Sequence, residues 1–341
     1  MNITNSITDI PGILVGQAEN DTALTGCTVI ICKDGAVGGV NQRGGAPGTR
    51  ETDLLRPMHM VQKVHAIMLA GGSAYGLDAA SGAMQYLEEQ KIGVNTGPAL
   101  VPIVPSAILF DLGLGDAHTR PDKQMGYTAC LKANAEKPAE GNHGAGTGAT
   151  VGKILGMGQA MKSGLGTSSM EFTSGVIVGS IVAVNAMGDI IDYKTNEIVA
   201  GARSIVKGPI KIGKDRLFAN TLSVMQSKLG QAALTFAGKQ NTIIGVIATN
   251  AALDKEGANK FAEAASNGIA ISTRPAFTML DGDTIFSLAT GKKQVDLNLL
   301  CAFAPIVFAE AMLNAVRKAE SAGGLPAVQS LNISEKEGIN S

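Results

Sequence analysis

Apolar residues along the chain fall into short runs separated by glycine, a strand-and-turn rhythm more than a helical one. GILVGQA (12–18), GCTVIICKDG (26–35) and GAVGGV (35–40) read as three short strands. An apolar strand from His65 to Leu69 meets a Gly71-Gly72 turn, Ser73 is a candidate N-cap, and a helix follows to about Gln90, stopped near Gly93. Pro98, Pro102 and Pro105 keep 94–110 extended or loop-like. A glycine cluster spans 141–153, and strand-like runs continue to about Ile198. A modest helix is expected in TLSVMQSKLGQAALTF (221–236), then a loop at 238–240 and a β-branched strand at 241–250. From Asp254 a helix carries Phe261, Ala265 and Ile269 on one stripe. FTMLDGDTIFSLATG (277–291) reads as a hairpin turning at Asp281-Gly282-Asp283, and a last helix covers roughly 302–321 before a polar tail. This alternation predicts packed sheets covered by helices, with no internal repeat and no linker.

Composition narrows the class. Forty-three of 341 residues are glycine, 17% are charged and 45% are apolar, which excludes a disordered chain. The glycines follow no three-residue period, which excludes collagen. The net charge is −1 with scattered basic residues, so no nucleic-acid footprint is present. The uncharged run from Phe172 to Gly188 is broken by Thr173, Ser174, Gly175 and Asn185 and fits two buried strands better than a membrane helix. Cys27, Cys32, Cys130 and Cys301 form no C-x-x-C, and Cys27 and Cys32 should point to opposite faces of one strand; all four read as buried thiols in a reducing compartment. His59, His65, His118 and His143 have no ligand spacing, so neither metal nor cofactor is expected. MNITNSITDIPG lacks the features of a signal peptide, and the expectation is a cytoplasmic protein.

Candidate chemistry sits at a few junctions, each with a plain alternative. Gly71–Gly76 is a strand-to-helix turn of the kind that binds anions, or simply a tight turn; it misses the nucleophile elbow because Tyr75 replaces the last glycine. Gly152-Lys153 fails the phosphate-loop pattern, since Thr147 and Ile154 stand at required positions. A ligand- or nucleotide-binding protein using the glycine turns stays open as an alternative, as does a structural oligomer without activity. Thr242 opens an apolar strand and is either a strand residue or, after cleavage behind Asn241, a nucleophile whose own amine serves as base. Asp281 and Asp283 flank one glycine, either as a solvated turn or as carboxylates that would orient such an amine.

At these residues the chain resembles the DmpA/BapA-type aminopeptidases, self-processing N-terminal-nucleophile amidohydrolases. The resemblance runs from ITDIPGILVG (7–16) to DGDTIFSLATG (281–291), through RGGAPGTRETDLL (43–55), VHAIMLAGGSAYGLDAA (64–80), RPDKQMGYTA (120–129), GAGTGATVGK (144–153), SGLGTSS (163–169) and NTIIGVIATNA (241–251). Thr242 with Asp281 and Asp283 is similar to the set used in the 6-aminohexanoate-oligomer (nylon) hydrolase branch, where relatives elsewhere use two serines and a glutamate. The resemblance implies a single four-layer αββα sandwich over 1–341, cut into 1–241 and 242–341. It also implies an α/β heterodimer assembling further as a tetramer, and action on small peptides or amides, with nylon oligomers as the alternative substrate. Under it Asn185 stabilises the oxyanion and Lys153 lies beside the nucleophile, while Phe110 stands where relatives carry a tyrosine. Phe110 and Tyr75 are the candidate substrate contacts.

Overall fold

The computed structural model describes residues 4–205, 211–213, 217–228, 230–231 and 241–331. Its framework is β1 (Ile13–Asn20), β2 (Thr25–Gln42), β3 (Lys63–Ala70), β4 (Ser106–Ile108), β5 (Leu165–Glu171), β6 (Ile177–Asn185), β7 (Thr242–Ala251) and β8 (Thr284–Lys293). The helices are α1 (Ala79–Glu89), α2 (Lys123–Leu131), α3 (Thr221–Gln226), α4 (Lys255–Ser272) and α5 (Leu297–Arg317). Hydrogen bonding runs β5-β6-β7-β8-β2-β3-β4, with β1 on the outer part of β2. Only β7–β8 and β3–β4 in this order are parallel.

Alternating side chains turn this one ladder into four layers. On β7, Ile244, Val246 and Ala248 face one core while Ile243 and Ile247 face another. On β2, Ile30 and Cys32 face the first of these cores while Cys27, Val29 and Ile31 face a third. The shared core therefore lies between two sheet halves. One half is backed by α1 and α2 through Ala79, Ala83, Leu87 and Ala129, the other by α4 and α5 through Phe261, Ile269, Val307 and Phe308. This is the expected αββα sandwich, and the Phe261/Ala265/Ile269 stripe is fully buried in it. Helix α5, with a mean hydropathy of 1.9, is long and apolar enough to cross a bilayer, but it packs against α4, β5 and β6 as a core helix.

Several local expectations change. The two early strands at 26–40 are one strand, bent at a bulge between Ile31 and Ala36, where Gly35 (φ 71°) absorbs the turn signal and lets β2 serve both sheet halves. Ser73 does not cap: Gly72 (φ 78°) precedes a 3₁₀ turn over Ser73–Asp78, and α1 begins only at Ala79. Asp281-Gly282-Asp283 is not a hairpin, because 278–281 folds back on itself and β8 runs parallel to β7. The last helix starts five residues earlier than expected because Asp296 caps it. Cys27, Cys32 and Cys130 are buried, Cys301 only partly. The expected helix at 221–236 is seen as Thr221–Gln226, ended by the extended backbone of Ser227; 229, 232–236 and the loop at 238–240 lie outside the described residues.

Candidate active site

Three strand ends meet at one point. The last residue of β6, Asn185, pairs in antiparallel register with the first of β7, Thr242, and Asn241 forms a parallel bridge to Asp281 just before β8. Topology therefore brings together the candidates that sequence spacing separates by up to about a hundred residues. Thr242 is 5% exposed, with Asn241, Asp281 and Asp283 similarly enclosed and Asn185 fully buried. The Thr242 hydroxyl donates to the carbonyl of Asn241 at 2.5 Å. The same carbonyl accepts the Gly282 N–H at 2.9 Å.

The RGGAPG loop holds the Asp281–Asp283 segment by its backbone. Arg43 N–H donates to the Asp283 carbonyl (3.1 Å), Ala46 N–H to the Asp281 carbonyl (2.9 Å) and Gly45 N–H to the Thr278 carbonyl (3.1 Å). A side chain at Gly44 would collide with the Asp281 carbonyl, which accounts for the bare backbone there. Asp281 accepts the Thr278 N–H (2.7 Å) and Asp283 the Ile243 N–H (2.7 Å). Burial, with the neighbouring charge of Asp281 adding to it, pushes the Asp283 carboxyl up to about 8, against the pull of the Ile243 and Phe277 N–H groups. Burial also raises Asp281, opposed by Thr278 and by Lys153.

Lys153 reaches the site through Asn185. Its Nζ donates to the Asn185 carbonyl (3.0 Å) and to Oδ1 (2.9 Å), and Thr150 adds its N–H (3.1 Å) and hydroxyl (3.2 Å) to the same Oδ1. These bonds set the amide orientation, and Nδ2 donates to the Phe110 carbonyl at 2.9 Å. Burial pushes the Lys153 amine down to about 7 despite Asp281 and Asp111 nearby. Phe110, Asp111, Leu114, Thr150, Lys153 and Met157 line a small cleft here. Tyr75 is not brought in: it is 62% exposed with the Arg120 guanidinium 3.8 Å over its ring, and no hydrogen bond or ring contact among the described residues ties it to Thr242.

The glycine turns are filled from within. Asp111 accepts the Gly72 N–H (2.6 Å) and the Thr25 hydroxyl (2.7 Å), so an internal carboxylate takes the anion position of the 71–76 turn. The 144–152 loop points two carbonyls inward: the ammonium of Lys162 donates to Gly146 (3.2 Å) and Ala149 (3.0 Å) of the loop and to the carbonyl of the adjacent Ser163. A loop whose carbonyls surround a cation is the reverse of a phosphate cradle.

The model of the peptidase family S58 matches residues 5–329 of this chain. The chain belongs to peptidase family S58. As an S58 member it is a hydrolase of amide bonds. It is 39% identical over 357 aligned positions to an uncharacterized aminopeptidase of Mycobacterium leprae, covering 94% of this chain and 92% of that one. It is 31% identical over 332 positions to a 6-aminohexanoate-oligomer endohydrolase of Kocuria sp., covering 91% and 85%. The L-aminopeptidase D-Ala-esterase/amidase of Ochrobactrum anthropi, a variant of the Ntn-hydrolase fold, superposes with a TM-score of 0.69 at 19% identity, covering 98% of this S58 chain and 94% of that one.

Sequence reasoning missed Asp111, Thr150 and Lys162. Between Ile154 and Met170 the only charged residue is Lys162, and Asp111 sits inside AILFDLGLG; a lone charge in an apolar run was the available signal.

Proposed function

We propose that this S58 hydrolase matures by cutting itself between Asn241 and Thr242 and then uses Thr242 as an N-terminal nucleophile on small peptides or amides. The observation that carries the reading is the buried contact of the Thr242 hydroxyl with the carbonyl of the bond to be cut, at the convergence of Asn185, Asp281 and Asp283. In maturation the hydroxyl oxygen adds to the Asn241 carbonyl carbon as its proton leaves. The carbon–nitrogen bond then breaks, the nitrogen takes a proton, and water hydrolyses the resulting ester. The fragments, 1–241 and 242–341, stay together as one heterodimer because β7 remains hydrogen-bonded to β6.

The freed α-amine has an ordinary pKa of ~7.7–8, so near neutrality it takes the proton of its own hydroxyl. An ammonium forming one residue from Ile243 favours the ionised form of Asp283, so cleavage itself completes the ion pair that orients the amine. In turnover the Asn185 amide, fixed by Lys153 and Thr150, donates to the oxyanion of the acyl-transfer step; Lys153 thus acts on the nucleophile through Asn185 and Asp281. Phe110 contributes its carbonyl and one wall of the cleft. Asp281, Asp283 and Thr242 in place of other nucleophile sets, together with the Kocuria relative, support 6-aminohexanoate oligomers as the second substrate class. Three buried, unpaired thiols support a reducing, cytoplasmic setting, and the family resemblance supports assembly of heterodimers into a tetramer.

The test is a turnover assay on a short peptide amide with a free amine, its N-acylated form and a 6-aminohexanoate oligomer, comparing wild type with Thr242→Ala. Hydrolysis by wild type alone supports the reading, and the preferred compound names the substrate class. An alanine variant as active as wild type would overturn it. Adding an acceptor amine separates hydrolysis from acyl transfer.

A further inference from the structure

The carbonyl cut in maturation carries a second donor that no side chain supplies. Gly282 N–H lies 2.9 Å from the Asn241 carbonyl oxygen, so it is already aimed at the atom on which negative charge develops when that carbonyl is attacked. Its partner backbone is clamped by the Ala46 and Arg43 N–H bonds on either side, so the donor does not depend on a mobile side chain. The missing side chain matters as well. A Cβ at position 282 would lie 2.7 Å from the Ala46 carbonyl, 2.9 Å from the Thr242 hydroxyl oxygen and 3.3 Å from its Cγ2. The nucleophile must turn about its Cα–Cβ bond to pass from the carbonyl oxygen it now touches to the carbonyl carbon, and the space it turns beside is the space glycine leaves open.

We infer that Gly282 is a second catalytic residue of self-processing beside Thr242: its N–H is the oxyanion donor for cleavage of the Asn241–Thr242 bond, and its bare Cα gives the Thr242 hydroxyl room to attack. In the step, the Oγ1–C bond forms while the carbonyl π pair moves onto the Asn241 oxygen, where the Gly282 N–H holds it. The pair returns as the C–N bond breaks and the nitrogen is protonated, leaving an ester and a free amine. The inference rests on Thr242 being the processing nucleophile.

The experiment follows processing of freshly synthesised full-length chain in a cell-free extract, by the conversion of the 34.9 kDa precursor into two fragments. Three chains are compared: wild type, a Gly282→glycolic acid chain in which a backbone ester oxygen replaces only the N–H, and Gly282→Ala. The expected result is processing slowed by ~10²–10³-fold in the ester chain, the usual loss for one oxyanion donor, and slowed also in the alanine chain. Protease resistance of both changes in a Thr242→Ala background, where nothing is cut, reports folding separately; the expected result is resistance like that of the single variant. Processing of the ester chain at the wild-type rate overturns the inference while leaving Thr242 as nucleophile. Slow processing accompanied by loss of protease resistance also overturns it, because the bond would then be merely the first rung of the β7–β8 ladder. A wild-type chain that is never cut before Thr242 overturns the underlying reading instead.

Discussion

Lys162 offers a sharp test of how the site is built, because it is 0% exposed and none of its contacts is with Thr242 itself. Its ammonium satisfies the carbonyls of Gly146, Ala149 and Ser163, and its backbone pairs with Thr150, which holds Asn185. Burial pushes its amine down to about 7, with the Asp111 carboxylate opposing. Lys162→Met keeps the length of the apolar stem and removes every side-chain donor. The Gly146 and Ala149 carbonyls keep backbone donors, the Ala149 N–H (3.1 Å) and the Ser163 N–H (2.9 Å), so the Ser163 carbonyl bears most of the loss. A buried carbonyl left without its donor costs about 1–3 kcal/mol, and with the two weakened bonds offset because a buried charge no longer has to be desolvated, that is the net expected loss. An unfolding entropy of ~2.1 cal/mol/K per residue gives ~0.7 kcal/mol/K for the whole chain, so the thermal midpoint should fall by ~1–4 °C. The assay is thermal unfolding in a Thr242→Ala background, where the chain is uncut, with processing of the Thr242 form followed in parallel. Slower processing is expected too, since the 144–153 stretch delivers Thr150 and Lys153. A midpoint unchanged or raised, with normal processing, would refute the claim that this cation organises the loop.

Other substitutions probe other layers. Thr242→Ala should abolish both processing and turnover, whereas Thr242→Ser should keep both at reduced rate; fragment analysis with a turnover assay decides, and cleavage in the alanine form would be incompatible with the mechanism. Asp283 keeps a proton in the folded uncut chain up to about pH 8 that the unfolded chain loses near 3.8, so its contribution to stability falls as pH rises between those values. Asp283→Asn in the Thr242→Ala background should remove that part of the slope, read as melting midpoints at pH 5 and pH 8, and an unchanged slope would count against the buried assignment. Gly166 on β5 lies against the α5 backbone, and a Cβ there would overlap the Ala311 carbonyl. Gly166→Ala should therefore cost about 1–3 kcal/mol through overpacking, visible as a lowered melting midpoint.

The parts of the fold legible from sequence are those where local pattern and tertiary role agree. The β-branched run at 241–250 is β7, the Phe261/Ala265/Ile269 stripe is a buried helix face, and Cys27 and Cys32 do face different cores. Misreadings occur where a local turn signal is overridden by long-range pairing. Asp34-Gly35 is a bulge inside β2 because one long strand must join both sheet halves, and Asp281-Gly282-Asp283 is straightened by bonds to Arg43, Ala46 and Asn241. In the site, Thr242, Asn185, Asp281, Asp283 and Lys153 were legible through resemblance, not spacing, and strand register brings them together. Tyr75, a candidate substrate contact, stands exposed under the Arg120 guanidinium and apart from this cluster. For Asp111 and Lys162 a lone charge in an apolar run is the whole sequence signal, because each charge is stabilised by backbone groups distant in sequence, such as Gly72 for Asp111 and Gly146 for Lys162.

The central claim is that Thr242 becomes a chain terminus, and the most direct test is the mass of the purified protein under denaturing conditions, with sequencing of any smaller fragment. Two species of roughly 25 and 10 kDa are expected, in proportion to 241 and 100 residues of the 34.9 kDa chain, the smaller beginning Thr242-Ile243-Ile244. A single stable 34.9 kDa chain, or a cut at another bond, would contradict it.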